Sequence, residues 1–283
     1  MLLKKIQNKI KYILIDLSLA VKRVFTPVYL HKNIKMVSPE NTVAQMTSYL
    51  KAEKGGAYFR FGDGEINMIE GKGAIEQDSN SSLGKEMKEA LELSEDNIMK
   101  SLMINSPKFG FKDSKHLVGD KWATNLLKRA YFYFIGDKIY CHAALAYCFE
   151  YKKKEIKDLL AEIRKKDLKI FIGNKLMPKD ILTETFGKNI VHIEIEPKNS
   201  YKDADKIEEK IIFELNKNKG KFHTLIFAAG PTSNVLQKRL YGKYNIFSID
   251  FGSLIDAIAG WNTRAWIDLD KNYYKDILNE LKN

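Results

Sequence analysis

The run Arg60-Phe61-Gly62-Asp63-Gly64-Glu65 places two carboxylates two positions apart, a glycine on each side of the aspartate, and an arginine just before them. Carboxylate oxygens are the ligands that hard divalent cations such as Mg²⁺ and Mn²⁺ prefer. Such cations keep further coordination positions for water and phosphate. Arginine can hold a phosphate through two parallel hydrogen bonds, and glycines let backbone and ligand approach closely. The hexapeptide could therefore hold a cation and a phosphate together. A purely structural account competes: Asp63-Gly64 as a turn, and Glu65 as the cap of the helix that follows. The D-x-E spacing alone does not choose between them.

Other segments carry weaker signals. Thr224 to Val235 reads as a strand running into Gly230-Pro231, with Thr232 or Ser233 placed to cap a helix. A helix start offers N–H groups and a positive dipole end, which suits a diphosphate. It matches neither a P-loop nor G-x-G-x-x-G, and an ordinary strand–helix turn would look the same. Asp250, closing Tyr244-Asn-Ile-Phe-Ser-Ile-Asp, could serve as a general base or as a helix cap. Gln77-Asp78 follows the first loop and could meet a ligand. The histidines His31, His116, His142, His192 and His223 do not pair at metal-ligand spacing, and His142 reads as packed at a helix start. The chain has no G-x-S-x-G, H-E-x-x-H or C-x-x-C, so the common hydrolase and zinc chemistries lack support.

These residues need elements to position them. From residue 57 onward, apolar runs alternate with helical patterns. The expected strands are 57–61, 100–105, 168–173, 190–195, 223–229 and 245–250; the expected helices are 41–53, 83–98, 119–134, 141–165, 178–186, 201–218, 232–241 and 263–281. Such alternation predicts an α/β fold with a mainly parallel sheet covered by helices on both faces. Ligands of open parallel sheets bind beyond the carboxyl ends of the strands. Those ends here are Arg60 with its loop, Asn105-Ser106-Pro107-Lys108, Gly173-Asn174-Lys175, Ala229 to Ser233, and Asp250-Phe251-Gly252-Ser253. Polar, phosphate-compatible groups thus gather at one edge.

The 283 residues bear a net charge of +11, unevenly placed. Residues 1–35 hold eight Lys/Arg against the single acid Asp16, leaving the rest of the chain nearly balanced. A nucleic-acid partner is accordingly not expected. Leu3, Ile6, Ile10, Ile13, Leu14, Leu17, Ala20, Val21 and Val24 recur at helical spacing, with lysines flanking and Pro27 beyond. This is a basic amphipathic helix that could lie on an anionic bilayer through residues 1–25, or pack on the protein's own core. As a signal peptide it is poor, because Asp16 interrupts the apolar region. The chain thus divides into residues 1–35, helix and linker, and residues 36–283, a catalytic domain. No stretch of 18 apolar residues occurs, so no membrane span is expected. Cys141 and Cys148 imply no disulfide framework, and a reducing, cytoplasmic location fits, with the helix at the inner face of the membrane.

Phe59-Arg60-Phe61-Gly62-Asp63-Gly64-Glu65, then Gln77-Asp78, then Ala229-Gly230-Pro231-Thr232 and Ile249-Asp250-Phe251-Gly252, resembles the GT-D glycosyltransferase family, once a domain of unknown function. The similarity runs over roughly residues 40–270, leaving residues 1–35 outside. The resemblance implies a Rossmann-like α/β fold and transfer of a sugar from a UDP-sugar, with a D-x-E motif associated with Mn²⁺. Asp63 and Glu65 would be that motif, with Mg²⁺ as the other cation to consider. Arg60, Gly62, Gln77 and the turn Gly230, Pro231, Thr232 would face the nucleotide-sugar. The acceptors implied are bacterial cell-surface glycans, glycoproteins or lipid-linked precursors. Asp250 is then the candidate base for the acceptor hydroxyl, ahead of Asp256. Two other readings stand beside this one: a Mg²⁺-dependent phosphohydrolase, and a non-catalytic membrane-surface binder. Against the phosphohydrolase, Phe61 occupies the place where the aspartyl-phosphate pattern has an aspartate.

Overall fold

The computed structural model describes residues 34–282 except 75–76 and 113–114, together with residues 10, 13–14, 17–18 and 20–21 of the N-terminal segment. The flanking lysines of residues 1–25 and Pro27 lie outside the described residues. The described stripe positions of that segment are helical.

The described strands are β1 (Lys35–Met36), β2 (Gly56–Phe61), β3 (Ile98–Leu102), β4 (Lys138–Cys141), β5 (Lys169–Asn174), β6 (Ile190–Ile195), β7 (His223–Ala228) and β8 (Ile246–Asp250). They form one sheet in the order β1-β4-β3-β2-β8-β7-β5-β6, and every neighbouring pair is parallel. Side chains alternate across it as the twofold period of a strand requires. Tyr58 of β2 packs with Met46, Leu50 and Phe149 on one face, while Ala57, Phe59 and Phe61 meet Leu91, Leu126 and Leu127 on the other. Helices Pro39–Lys51, Ala144–Tyr151 and Lys153–Lys165 cover the first face, and Ser81–Glu92, Asp120–Ala130, Ala204–Lys217 and Pro231–Leu240 the second. This is the doubly covered Rossmann-like α/β arrangement expected. Among the described residues no helix is long and apolar enough to cross a membrane. Both cysteines are free and buried.

Five of the six expected strands fall within a residue or so of those observed; the sixth, 100–105, slides back to Ile98–Leu102. The helix expected over 83–98 ends at Glu92, because Ile98 is taken by β3. The helix expected over 141–165 is two helices, broken at Lys152 (φ −134°, ψ 64°), and it is preceded by β4, which the sequence pattern did not show. The helix expected over 263–281 starts only at Tyr273 and runs to Lys282, with a short helix Leu254–Ile258 before it. Lys35, the last residue of the expected linker, and Met36, the first of the expected domain, form the edge strand β1: Lys35 N–H donates to Asp137 O at 2.7 Å and Val37 N–H to Ile139 O at 2.9 Å.

Candidate active site

A cleft of about 800 Å³ lies over the carboxyl ends of β2, β8, β7, β5 and β6. Chain direction places every strand end at this edge, so residues far apart in sequence meet here. Arg60, Gly62, Asp63, Glu65, Gln77, Gly230, Pro231, Asp250 and Asp256 all line it. Thr232 does not, nor does Asp78, the neighbour of Gln77.

Residues 63–69 are helix rather than loop. Gly62 is its N-cap, Asp63 opens it, and Glu65 sits at the third position. Glu65 Oε2 accepts the Gly62 N–H at 2.8 Å, closing half of a capping box. Glu65 is thus both cap and cleft residue, with one oxygen spent on the backbone. Burial pushes its carboxyl above the usual range, against the opposing pull of the Gly62 N–H and Arg60. Asp63 is exposed at the helix start, where the dipole favours a negative charge.

Arg60 is fastened from several sides. Its Nε donates to His142 O at 3.1 Å, Nη2 lies 3.5 Å from His142 Nδ1, and Nη1 lies 3.8 Å from Asp250 Oδ1. Asn234 Nδ2 donates to its backbone carbonyl at 2.9 Å. Gly252 makes the room: its φ is +57°, and a Cβ there would fall 1.7 Å from Arg60 Nη1. A glycine is required on both counts.

His142 and Asp250 respond to this environment. Burial first, and the Arg60 charge second, hold the His142 imidazole well below its ordinary pKa, so it is neutral at physiological pH. With Nδ1 facing the guanidinium as acceptor, Nε2 carries the proton. Asp250 is raised from 3.8 to about 7, chiefly by burial; Glu65 adds to the rise, while Arg60 and the Gly252 N–H oppose it.

The Gly230 turn differs from the expectation. Gly230 takes φ 55°, ψ −140°, and neither hydroxyl caps the helix Pro231–Leu240. Ser233 Oγ accepts the Ala229 N–H at 3.1 Å, and the buried Thr232 Oγ1 pairs with Ser200 Oγ at 2.9 Å beneath the cleft. Pro231 has no N–H, and the Ser233 N–H turns to Gly230 O at 2.9 Å. This helix start therefore offers a phosphate fewer free donors than its sequence promised. Gln77 lines the cleft as expected, with Oε1 at 3.4 Å from the Tyr201 N–H.

Sequence reasoning missed His142, Glu196, Lys198 and Arg264, which also line the cleft. His142 reads in the sequence as a residue packed at a helix start, without a histidine partner; the short strand β4 that delivers it carries no apolar run to mark a strand end there. Lys198 and Arg264 come from loops, where type alone gives no signal. Among the described residues no group of three or more His, Cys, Asp or Glu could form an all-protein metal cage.

The family profile "Glycosyltransferase GT-D fold" matches residues 58–276. Among solved structures, a glycosyltransferase (DUF1792) from Streptococcus sanguinis is similar at 19% identity and a TM-score of 0.59, covering 79% of this chain and 82% of that one. A selenomethionine structure of domain of unknown function 1792 shows 21% identity and a TM-score of 0.58. A third structure, of the same domain described as having a distinct glycosyltransferase fold, shows 23% and 0.55; these last two cover 80% of each chain. Comparison with curated proteins yields no match. The profile spans most of the chain, including every cleft residue that carries a charge, and the chain belongs to the GT-D family of glycosyltransferase fold.

Proposed function

We propose that the protein transfers a sugar from a nucleotide-sugar, with a UDP-sugar as donor, to a bacterial cell-surface glycan, glycoprotein or lipid-linked acceptor. The observation that carries this reading is the convergence of Arg60, Asp63, Glu65 and Asp250 on one cleft at the carboxyl edge of a parallel sheet.

The cleft's charge fits a bound divalent cation. Among the described residues, five carboxylates (Asp63, Glu65, Glu196, Asp250, Asp256) line it against three cations (Arg60, Lys198, Arg264). A cation accompanying a diphosphate would offset the acidic side chains that face it there. Asp63 and Glu65 would hold Mn²⁺ or Mg²⁺, with phosphate and water completing the shell, since among the described residues no third acidic, histidine or cysteine ligand groups with them. Bound there, the ion would neutralise charge on the departing diphosphate. Arg60 supplies a second, fixed positive charge; because His142 O, Asp250 and Asn234 hold it, little reorganisation is needed when charge develops. Asp250, titrating near 7, is suited to take the proton of an acceptor hydroxyl at neutral pH. Neutral His142 presents an N–H donor on the same wall, for a sugar or phosphate oxygen.

The test is release of UDP from a panel of UDP-sugars with and without MnCl₂. Asp63→Ala is expected to lose metal-dependent release while melting at the wild-type temperature. Full metal-dependent turnover by that variant would show the site assignment wrong. Phosphate release from small phosphoesters with Mg²⁺, and no turnover of any nucleotide-sugar, would point to the phosphohydrolase instead.

A further inference from the structure

We infer that the N-terminal helix docks the protein on an anionic lipid bilayer. In the described part of that segment, Ile10, Ile13, Leu14, Leu17 and Val21 are helical and 53–63% exposed. Their spacing of three and four residues lines them along one helix face. No other helix among the described residues exposes more than one large apolar side chain. The stripe is therefore not turned into the protein's own core, and it is unlike the scattered exposed residues that every soluble surface carries.

Charge identifies the occupant. In the sequence, Lys4, Lys5, Lys9, Lys11, Lys22 and Arg23 lie between and around the stripe residues. Asp16 is the one acid in residues 1–35. An exposed apolar helical stripe in a segment this rich in lysine is the composition of a helix lying in the plane of a membrane interface: apolar side chains enter the acyl boundary and lysines meet anionic headgroups. A face made for a second copy of this chain would need a complementary acidic rim, and this segment repels itself instead. The docking is independent of the sugar-transfer reading, because it is read without substrate.

The experiment is sedimentation of the full chain with vesicles, using phosphatidylcholine alone and phosphatidylcholine mixed with phosphatidylglycerol. Wild type is expected to bind the mixed vesicles and to bind phosphatidylcholine at least about tenfold more weakly. Raising NaCl from 0.1 to 1 M shortens the screening length from about 10 to about 3 Å and should release much of the bound protein. The double substitution Leu14→Asp, Leu17→Asp should abolish binding without changing the melting temperature, since both side chains are exposed. A second variant, Lys4, Lys5, Lys9 and Lys11 all to Gln, should weaken binding to the mixed vesicles while leaving the apolar stripe intact. Failure to bind mixed vesicles, equal binding to both lipids, or retained binding by the Leu14, Leu17 variant would overturn the proposal. So would a large drop in that variant's melting temperature, which would place the stripe in the core. Sedimentation velocity without lipid covers the remaining case: a wild-type dimer that becomes a monomer in the variant would assign the stripe to self-association.

Discussion

Asp250→Asn isolates a buried carboxyl of the cleft whose pKa is raised. In the unfolded chain this group loses its proton near 3.8, whereas the folded protein holds it to about 7. Between those values the unfolded state binds fewer protons than the folded one, so raising the pH favours unfolding. The stability Asp250 contributes is fully present below pH 3.8 and is lost as the pH rises through 7. A shift of about three units at about 1.4 kcal/mol each amounts to about 4 kcal/mol, of which about 3 falls between pH 5 and pH 8. Asparagine does not titrate, so the variant should gain on wild type by that amount across the same interval. For a domain of this size that is a relative shift in melting temperature of roughly 6–12 °C. The assay is thermal denaturation of both proteins at pH 5 and pH 8 in EDTA, so that no cation contributes. Transfer activity at pH 8 should fall in the variant, because the proton acceptor is gone. Parallel dependence of the two melting temperatures on pH would refute the burial argument. Unchanged activity with the predicted stability difference would keep the burial argument and remove the base.

Gly252→Ala should cost activity on the order of a hundredfold, as for removal of a preorganised charge donor, because its Cβ would occupy the place of Arg60 Nη1; wild-type turnover by that variant would show that Arg60 has another route. UDP affinity, measured by calorimetry, should be far higher with Mn²⁺ than in EDTA, and by reciprocity UDP should tighten Mn²⁺ binding by the same factor; equal UDP affinity in both conditions would contradict the charge argument. Lys100→Met should destabilise by about 3 kcal/mol, since the buried ammonium donates to the carbonyls of Leu91, Leu93 and Ile135 and methionine leaves all three without a donor; a urea midpoint within experimental error of wild type would show that water replaces it.

Legibility followed contiguity. Arg60, Asp63 and Glu65 could be read because one strand end and one helix start carry them all within six positions. The later strands could be read because each is an apolar, β-branched run with polar residues at its end. Lys138-Ile-Tyr-Cys is too short and starts too polar for that, and Lys35–Met36 is a strand only because β4 lies beside it. Missing β4 meant missing His142. Thr232 shows the opposite failure: its position at a helix start is right for a ligand contact, but Ser200, 32 residues earlier, claims its hydroxyl. Which way a hydroxyl points at a helix start is decided by tertiary neighbours, and spacing does not contain them.

The same reasoning explains why the D-x-E pair could not be settled by its own residues. The structural reading is realised in Glu65, which caps its helix with Oε2, and the same side chain lines the cleft, where the functional reading needs it. What separates a cap from a ligand is the surrounding charge. An ordinary N-cap carboxylate sits in water, and its pKa falls toward the helix dipole. Glu65 is instead raised by burial, beside Asp250, which is raised as well. Two acids pushed upward beside one fastened arginine favour their protonated forms, and on the proposed reading a bound cation would relieve them in the same way. A capping role alone would not require burying a second carboxylate next to the first. The acidity of the cleft is thus the feature that a divalent cation and a diphosphate together would relieve, and it arises from three strand ends that only the parallel sheet brings side by side.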